Sequence, residues 1–472
     1  MFGLEVRRRL AKFIAGYPGG WKKYARGDDL MRWGRTPPFE QPNDPDDRRS
    51  LIPAEGLLEY WYPAMPNKEV GKKKPVALKI LGKELVFFRD RSGEVQALWD
   101  YCPHRGAYLS WGDCFWNGFV SCPYHGATFD GEGRCVAVIT EGPDSKMVGR
   151  MSARKYPTIT LKGTVFVWMG EGQPADPEVD IPPDWFEQDT TVVLTAWRYW
   201  HCNWMIALEN TGDAHNMWYV HRNSFRQLRS TRGGRQRSPV GSRMRMVDSH
   251  TVDRITGTAD QVGKGRTDYY ADESGKTPHQ LYYPGVDGYW PKHRYRLLWG
   301  WFYDGMVKLR RNSRSKRPFE NPPNWEGMIL PGMVRNNHST HMYTRWPIAV
   351  DKDLTRVYYA LSSRPSNIWG RTYDRVTYFL YLKWMLFFNF SDQDYDAMRS
   401  SRYQYPEYLS STDNPVVMLR RLITEHGRGL QKQMRVRRHT SAEEMVYEGD
   451  RLLGEQPDDD LISEQQTQEE RS

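Results

Sequence analysis

Residues 102–126 read CPHRGAYLSWGDCFWNGFVSCPYHG. Two Cys-His pairs fall in this one segment, Cys102 with His104 and Cys122 with His125, each pair beside a proline and a glycine. The whole chain has only 5 cysteines and 12 histidines, so their meeting in two short loops calls for an account.

Two thiolates and two imidazoles on neighbouring turns hold metal in one of two ways. A single zinc ion takes all four ligands. A [2Fe-2S] cluster of Rieske type puts both cysteines on one iron and both histidines on the other. Zinc motifs usually pair like with like, Cys with Cys and His with His. Here Cys-x-His is followed by Cys-x-x-His, and that alternation is the Rieske pattern. The prolines and glycines shape two tight loops whose backbone amides can donate to cluster sulfurs. Cys114 matches no ligand slot and Cys135 falls on a strand, so both read as buried thiols.

Outward from this segment the signals are β. PVALKILGKELVFFRD alternates around a Gly82-Lys83 turn, and GEVQALWDYCPHRG follows a turn at Arg91-Ser92-Gly93. ATFDGEGRCVAVI turns at Asp130-Gly131-Glu132-Gly133, and TITLKGTVFVWMG at Lys162-Gly163. Residues 55–172 are therefore expected to form an all-β domain carrying the cluster. PADPEVDIPPDWF is a Pro- and Asp-rich connector. Beyond it, strand-like runs (TVVLTAWRYW, YRLLWGWFY, MYTRWPIAV, TRVYYALSS) mix with helical ones. The helical runs are NWMIALENTGDAHNMW near the start and TYFLYLKWMLFFNFSDQDYDAMRSSRY and NPVVMLRRLITEHGRGLQKQM near the end. The fold class is α+β: the all-β domain, then residues 173–440 as an antiparallel sheet with helices, helix-grip-like. Residues 1–54 form a basic leader. Residues 441–472 form an acidic tail with too little apolar surface to offset its ordering entropy.

At 472 residues the chain has room for two cores. Its net charge of +9 is concentrated in Arg-rich stretches at 224–246 and 308–317. These lack the interleaved aromatics on which single strands stack, so they read as solvated loops or a docking face for an acidic protein, not as a nucleic-acid site. An odd, scattered set of cysteines suits a reducing compartment, and the cytoplasm is expected. MFGLEVRRRLAKFIAGYPGGW is too short and too interrupted for a secretory signal. Its apolar residues Phe2, Val6, Leu10, Phe13 and Ile14 keep helical spacing and are expected to pack on the protein itself. No transmembrane span is expected, because VTYFLYLKWMLFFNF is short and contains Lys383; it reads as a buried helix.

A second metal site is suggested by NWMIALENTGDAHNMWYVHR, residues 203–222. Non-haem iron(II) oxygenases bind iron through two histidines and one carboxylate, leaving positions open. With the Cys-His motif, the chain resembles the large (α) subunit of the Rieske non-haem iron ring-hydroxylating oxygenases, from about Trp61 to Ser401. The family pattern is an Asp, a His three residues on, and a second His four or five beyond that. Asp213 and His221 match it, but the first histidine is His215, one residue early, and Asn216 occupies the family's slot. On a regular helix His215 and His221 point about 120° apart, so both reach one iron only if the helix ends or bulges between them. The resemblance implies His215 and His221 as ligands, with Asn216 and His221 as the alternative. FSDQDYDAMRSSRY offers the third ligand: Asp394 fits the family register best, Asp392 second, and Asp396 is also present. His338 and His341, in NNHSTHMYTRW, have no helper carboxylate beside them and are left out.

The resemblance further implies a terminal oxygenase that uses O2 and electrons from an NAD(P)H-dependent reductase, directly or through a ferredoxin. It would hydroxylate an aromatic or other apolar ring at a mononuclear Fe(2+) fed by the cluster. Asp213 would bridge a cluster histidine of one subunit to an iron ligand of its neighbour, which implies a homotrimer, with or without a small β subunit. The abundant Trp, Tyr, Phe and Met suit an apolar substrate. Two alternatives stand beside this reading. One is demethylation or sterol and pigment oxidation by an enzyme of the same build. The other is an electron-transfer protein without oxygenase activity, against which the second set of histidines and carboxylate counts.

Overall fold

The computed structural model describes residues 37–187, 192–212, 220, 244–254, 325–337, 341–383, 385–410 and 413–430. Asp213, His215, Asn216, His221, His338, the YRLLWGWFY run, residues 224–243 of the first Arg-rich stretch, the whole of the second, the first part of the leader and the acidic tail lie outside them. The described strands begin with β1 (Trp61–Pro66), β2 (Val76–Ile80), β3 (Lys83–Arg89), β4 (Val95–Trp99) and β5 (Val120–Ser121). Next come β6 (Ala127–Phe129), β7 (Cys135–Val138), β8 (Lys155–Tyr156), β9 (Thr158–Leu161) and β10 (Thr164–Trp168). The remainder are β11 (Val192–Trp200), β12 (Met244–Met246), β13 (Thr251–Arg254), β14 (Gly327–Ile329), β15 (Met333–Asn337), β16 (Met342–Ala349) and β17 (Thr355–Ser363).

The contacts divide the chain into two units. Among the described residues, one comprises Lys68–Leu78 and Glu84–Thr158; the other comprises the residues up to Asn67, Lys79–Lys83 and Ile159–Leu430. Turn chemistry shapes the hairpins of β2 to β7. Gly93 at the β3–β4 turn has φ +91° and Gly133 at the β6–β7 turn has φ +79°, left-handed positions that glycine adopts without a Cβ penalty. The β2–β3 turn centres on Leu81 and Gly82, with φ of +49° and +74°, one residue earlier than the expected Gly82-Lys83. A two-residue hairpin turn of this hand needs two consecutive positive φ values and favours Gly second, which leaves Lys83 free to open β3. Strands β3, β4 and β8 continue one sheet from β2, and β5–β6–β7 form a second. Their core is Val86, Phe88, Leu98, Leu109, Val120, Phe129 and Val138, packed with four cysteines. Cys114 and Cys135 are among them, buried and unbridged.

The second unit is built on a seven-stranded antiparallel sheet in the order β11-β17-β16-β15-β14-β13-β12. All nine residues of β17 are buried, which its near-continuous VYYAL core anticipates. Helix α1 (Trp204–Gly212) packs on the sheet. The side chain of Asn203 caps it by accepting from the Met205 amide, and Trp204 Nε1 donates to the Pro53 carbonyl. Helix α2 (Ile368–Thr377) is capped by Asn367 and continues through two stretches of π-helix, Tyr378–Leu382 and Met385–Phe390, into α3 (Ser391–Met398). Helix α4 (Asn414–His426) follows. The run expected as a buried helix is helical but two-faced: Phe387 is fully buried and stacks on Tyr359, whereas Phe379 is 61% exposed. One face meets the sheet and the other meets solvent.

The connector is also more than a solvated link. Asp180 and Asp184 are buried. Asp180 accepts from the Trp61 amide and pairs with Arg428; Asp184 pairs with the fully buried Arg335 at 2.9 Å and accepts from Ser362 Oγ. Among the described residues, no helix is long and apolar enough to cross a membrane.

Candidate metal centres

The two Cys-His loops repeat one construction. In the first, the Cys102 amide donates to the Ala107 carbonyl and the Gly106 amide to the Cys102 carbonyl, each at 2.8 Å. In the second, the Cys122 amide donates to Ala127 at 2.8 Å and the Gly126 amide to Cys122 at 3.1 Å. Gly106 and Gly126 occupy the same left-handed position, at φ +73° and +68°. Each loop thus closes on itself and turns its free amides inward. The amides of His104 and Arg105 donate to the Cys102 sulfur, and those of Tyr124 and His125 to the Cys122 sulfur.

The two sulfurs lie within hydrogen-bond reach of each other and form no disulfide. Because the Cys102 thiol donates to Cys122, Cys102 is pushed up and Cys122 is pulled down in pKa; the amides of Tyr124 and His125 also favour the Cys122 thiolate. The His104 and His125 rings meet edge to face, 4.7 Å apart. Among the described residues, no three His, Cys, Asp or Glu side chains converge on one ion-sized point; the thiols form one pair and the imidazoles another. Two paired sulfurs held by amides and two paired half-exposed imidazoles fit the donor set of a Rieske [2Fe-2S] cluster. Tyr124 stacks on His125 at 3.8 Å, and the Arg105 guanidinium lies 5.6 Å from the Tyr124 ring, so an aromatic side chain and a cation flank this imidazole.

In the other unit, α1 runs directly into the segment that holds Asp213, His215 and His221. Asp394, on α3, is 3% exposed and faces the last turns of α1. Asn210 Nδ2 donates to its Oδ1 at 3.4 Å, and Arg345 Nη1 lies 3.6 Å from its Oδ2. Arg345 Nη2 donates to the Ala207 carbonyl at 2.8 Å and approaches Asn210 Oδ1 at 3.4 Å. The guanidinium carbon sits 4.5 Å from the centre of the Trp200 ring. A buried carboxylate beside the helix that leads to two histidines fits one arm of a two-histidine, one-carboxylate iron site.

A family profile described as the Rieske [2Fe-2S] domain matches residues 60–157. Over 391 residues the chain is 26% identical to the terminal oxygenase component of carbazole 1,9a-dioxygenase from Metapseudomonas resinovorans, covering 81% of this chain and 94% of that protein. This chain carries a Rieske [2Fe-2S] domain and, over about four-fifths of its length, is similar to Rieske oxygenase large subunits. The oxygenase is also 34% identical, over 171 residues, to the oxygenase subunit of a tert-butanol monooxygenase / tert-amyl alcohol desaturase from Aquincola tertiaricarbonis, covering 36% of this chain and 35% of that one. In fold it is similar to the terminal oxygenase of carbazole 1,9a-dioxygenase from Nocardioides aromaticivorans IC177, with TM-score 0.61 at 24% identity over 80% of this chain and 97% of that one. It is likewise similar to the oxygenase in a reduced oxygenase–ferredoxin complex of carbazole 1,9a-dioxygenase, with TM-score 0.60 at 22% identity, covering 82% and 94% of the two chains.

The oxygenase therefore brings Cys102, His104, Cys122 and His125 together and buries Asp394. The side chains of Asp392 and Asp396 lie outside the description although their helix is within it, and His341 precedes β16. Two buried charged side chains near these positions carry no signal in the sequence. Arg345 stood in plain view as a lone cation in the apolar run MYTRWPIAV, yet only the strand's register aims it at α1. Glu209, in the turn before Asp213, is clamped by Arg420 at 2.7 and 2.8 Å. Burial pushes its carboxyl up in pKa, and Arg420 opposes that.

Proposed function

We propose that the oxygenase hydroxylates an apolar ring substrate at an iron held by His215, His221 and Asp394. Asp392 and Asn216 are the alternative ligands. Asp394 carries this reading: a carboxylate 3% exposed, beside the helix that leads to both histidines. When bound, the cluster supplies single electrons and the mononuclear iron supplies the O2 chemistry. The chain's own residues do the rest. At the loops, four amides hold the sulfurs, while the paired, half-exposed imidazoles give an electron donor access. Trp200 and Tyr395 are buried with ring centres 5.8 Å apart, and Trp200 lies under the Arg345 guanidinium that faces the carboxylate.

The partners follow from the same reading. The donor is a ferredoxin, fed by an NAD(P)H-dependent reductase; the ferredoxin complexes formed by the similar carbazole oxygenase support it. Arg105 beside the His125 edge suits an acidic donor. Asp213 links neighbouring subunits of a homotrimer, with or without a small β subunit. Residues 55–172 form the Rieske domain and 173–440 the catalytic domain, a division supported by the profile match at 60–157. Five unbridged cysteines support a cytoplasmic location. A second reading, monooxygenation of a small non-aromatic substrate by the same build, is favoured by the similarity to the tert-butanol monooxygenase.

The deciding experiment combines iron and acid-labile sulfide analysis with EPR, on protein purified anaerobically, followed by substrate turnover with ferredoxin, reductase and NADH. Roughly three irons and two sulfides per chain are expected, with hydroxylation of aromatic ring substrates. Two irons and two sulfides even after reconstitution would sink the ligand assignment. Turnover of tertiary alcohols alone would favour the second reading.

A further inference from the structure

We propose that Asp100 is a positioning residue for the cluster: its carboxylate clasps the two legs of the first Cys-His loop and so fixes Cys102 and His104 against the second loop. This rests on Cys102 and His104 being cluster ligands.

The two loops share their tips but not their legs. The second loop stands on paired strands. β5 and β6 are joined in register at Ser121–Thr128 and Val120–Phe129, and the Ser121 and Thr128 hydroxyls bond across the nearer rung at 2.8 Å. Among the described residues the first loop has no such ladder. One leg comes from β4, but the other enters a single 3₁₀ turn, Leu109–Trp111, and strand pairing between the legs ends at the isolated bridge Tyr101–Tyr108.

Asp100 takes the ladder's place. Its own amide donates to the Glu84 carbonyl at 3.0 Å, which prolongs the β3–β4 pairing and seats the residue at the end of β4. Across the legs, its carbonyl accepts from the Leu109 amide at 3.0 Å. Its Oδ1 accepts from the Ser110 amide at 2.6 Å and its Oδ2 from Ser110 Oγ at 2.5 Å. The first amides of a helical turn have no partner inside it, and Tyr108, at the cap position, offers no side-chain bond. The turn's opening amides therefore depend on Asp100. The residue is 1% exposed, and a buried carboxylate is costly unless hydrogen bonds replace its water. Here both side-chain bonds come from the opposite leg. Loss of the carboxylate unties the first loop at a level where the second stays joined by backbone. Groups that hold a metal's ligands in place set the geometry and affinity of the site.

The test uses the full-length, cluster-loaded chain and two readouts that need no turnover: the EPR line shape of the reduced cluster, and the rate at which the chelator bathophenanthroline strips its iron. Asp100→Ala is expected to spread the signal over more than one species and to speed iron loss about 10-fold. Asp100→Asn can still accept from the Ser110 amide and can donate to Ser110 Oγ, so it is expected to restore the line shape and most of the retention. Ser121→Ala leaves the β5–β6 ladder in place and is expected to match wild type in both readouts. Wild-type behaviour of Asp100→Ala would overturn the proposal, as would an equal disturbance in Ser121→Ala or in Asp100→Asn. If Asp100→Ala does not fold, Ser110→Ala decides: a broadened signal with faster iron loss upholds the proposal, and wild-type behaviour overturns it. His104→Ala separates the two readings. An unaltered cluster there removes the ligand assignment and this proposal with it; a lost or altered cluster there, with wild-type behaviour of the Asp100 variants, removes this proposal only.

Discussion

The imidazoles of His104 and His125 face each other edge to face with centroids 4.7 Å apart, although each comes from its own loop. Neutral imidazoles in place of two thiolates are what raise a Rieske cluster's potential. Exchanging one for a thiolate, in His125→Cys, is expected to lower the midpoint potential by on the order of hundreds of mV. Redox titration followed by visible absorption reads this directly. An unchanged potential would mean that His125 is not a ligand.

The two loop glycines look equivalent in backbone angle but not in surroundings. A Cβ on Gly106 meets nothing within 4 Å, whereas one on Gly126 falls 2.6 Å from the Ile139 Cβ. Gly106→Ala is expected to cost only the left-handed strain, about 1–2 kcal/mol, and to retain the cluster. Gly126→Ala adds a collision with a neighbouring side chain and is expected to lose cluster content. The ratio of visible to protein absorbance in the two purified variants measures the difference.

Arg420 and Glu209 couple α4 to the turn before Asp213. Arg420→Met leaves Glu209 as a buried carboxylate without its guanidinium, a defect worth about 3–5 kcal/mol. Adding Glu209→Gln removes the stranded charge, so the double variant is expected to unfold at a higher denaturant concentration than Arg420→Met alone. Equal midpoints would show that the pair is not energetically coupled.

Burial holds the His250 ring neutral, with its pKa pulled down to about 4 from the ordinary 6.5. Below the ordinary value the unfolded chain takes up a proton that the folded chain refuses. The unfolded state then binds more protons, so stability falls as pH falls from about 6.5 to about 4. The loss is about 1.4 kcal/mol per pH unit, or about 2 kcal/mol by pH 5. His250→Phe is expected to flatten this part of the stability profile, as followed by denaturant unfolding at a series of pH values. A slope unchanged by the substitution would assign the loss to other groups.

Much of the strand order was readable because its signals are local. TRVYYALSS became β17 residue for residue, and Lys162-Gly163 supplied a turn with φ of +47° and +76°. The β2–β3 turn moved by one residue because a hairpin turn is fixed by two consecutive backbone angles, of which Gly82 announces only one. The helical run before Asp394 showed its apolar content but not its exposed face or its π-helical turns. Those depend on which side of the chain the sheet occupies.

By itself the sequence determined the candidate donor set, since both Cys-His pairs and the glycines that close their loops lie within 25 residues of one another, where chain geometry leaves little freedom (about 3.3–3.6 Å per residue at full stretch). It also determined the alternation of strands and helices, which follows from side-chain period. Only the tertiary structure decided which residues surround Asp394. Arg345, Asn210 and Asp394 are spread over β16, α1 and α3, and no periodicity relates them. They meet because the register of β16 against β15 and β17 points one buried guanidinium at the end of α1. What lies within hydrogen-bond reach of a buried charge is set by packing, and at Asp394 that is Asn210 and Arg345.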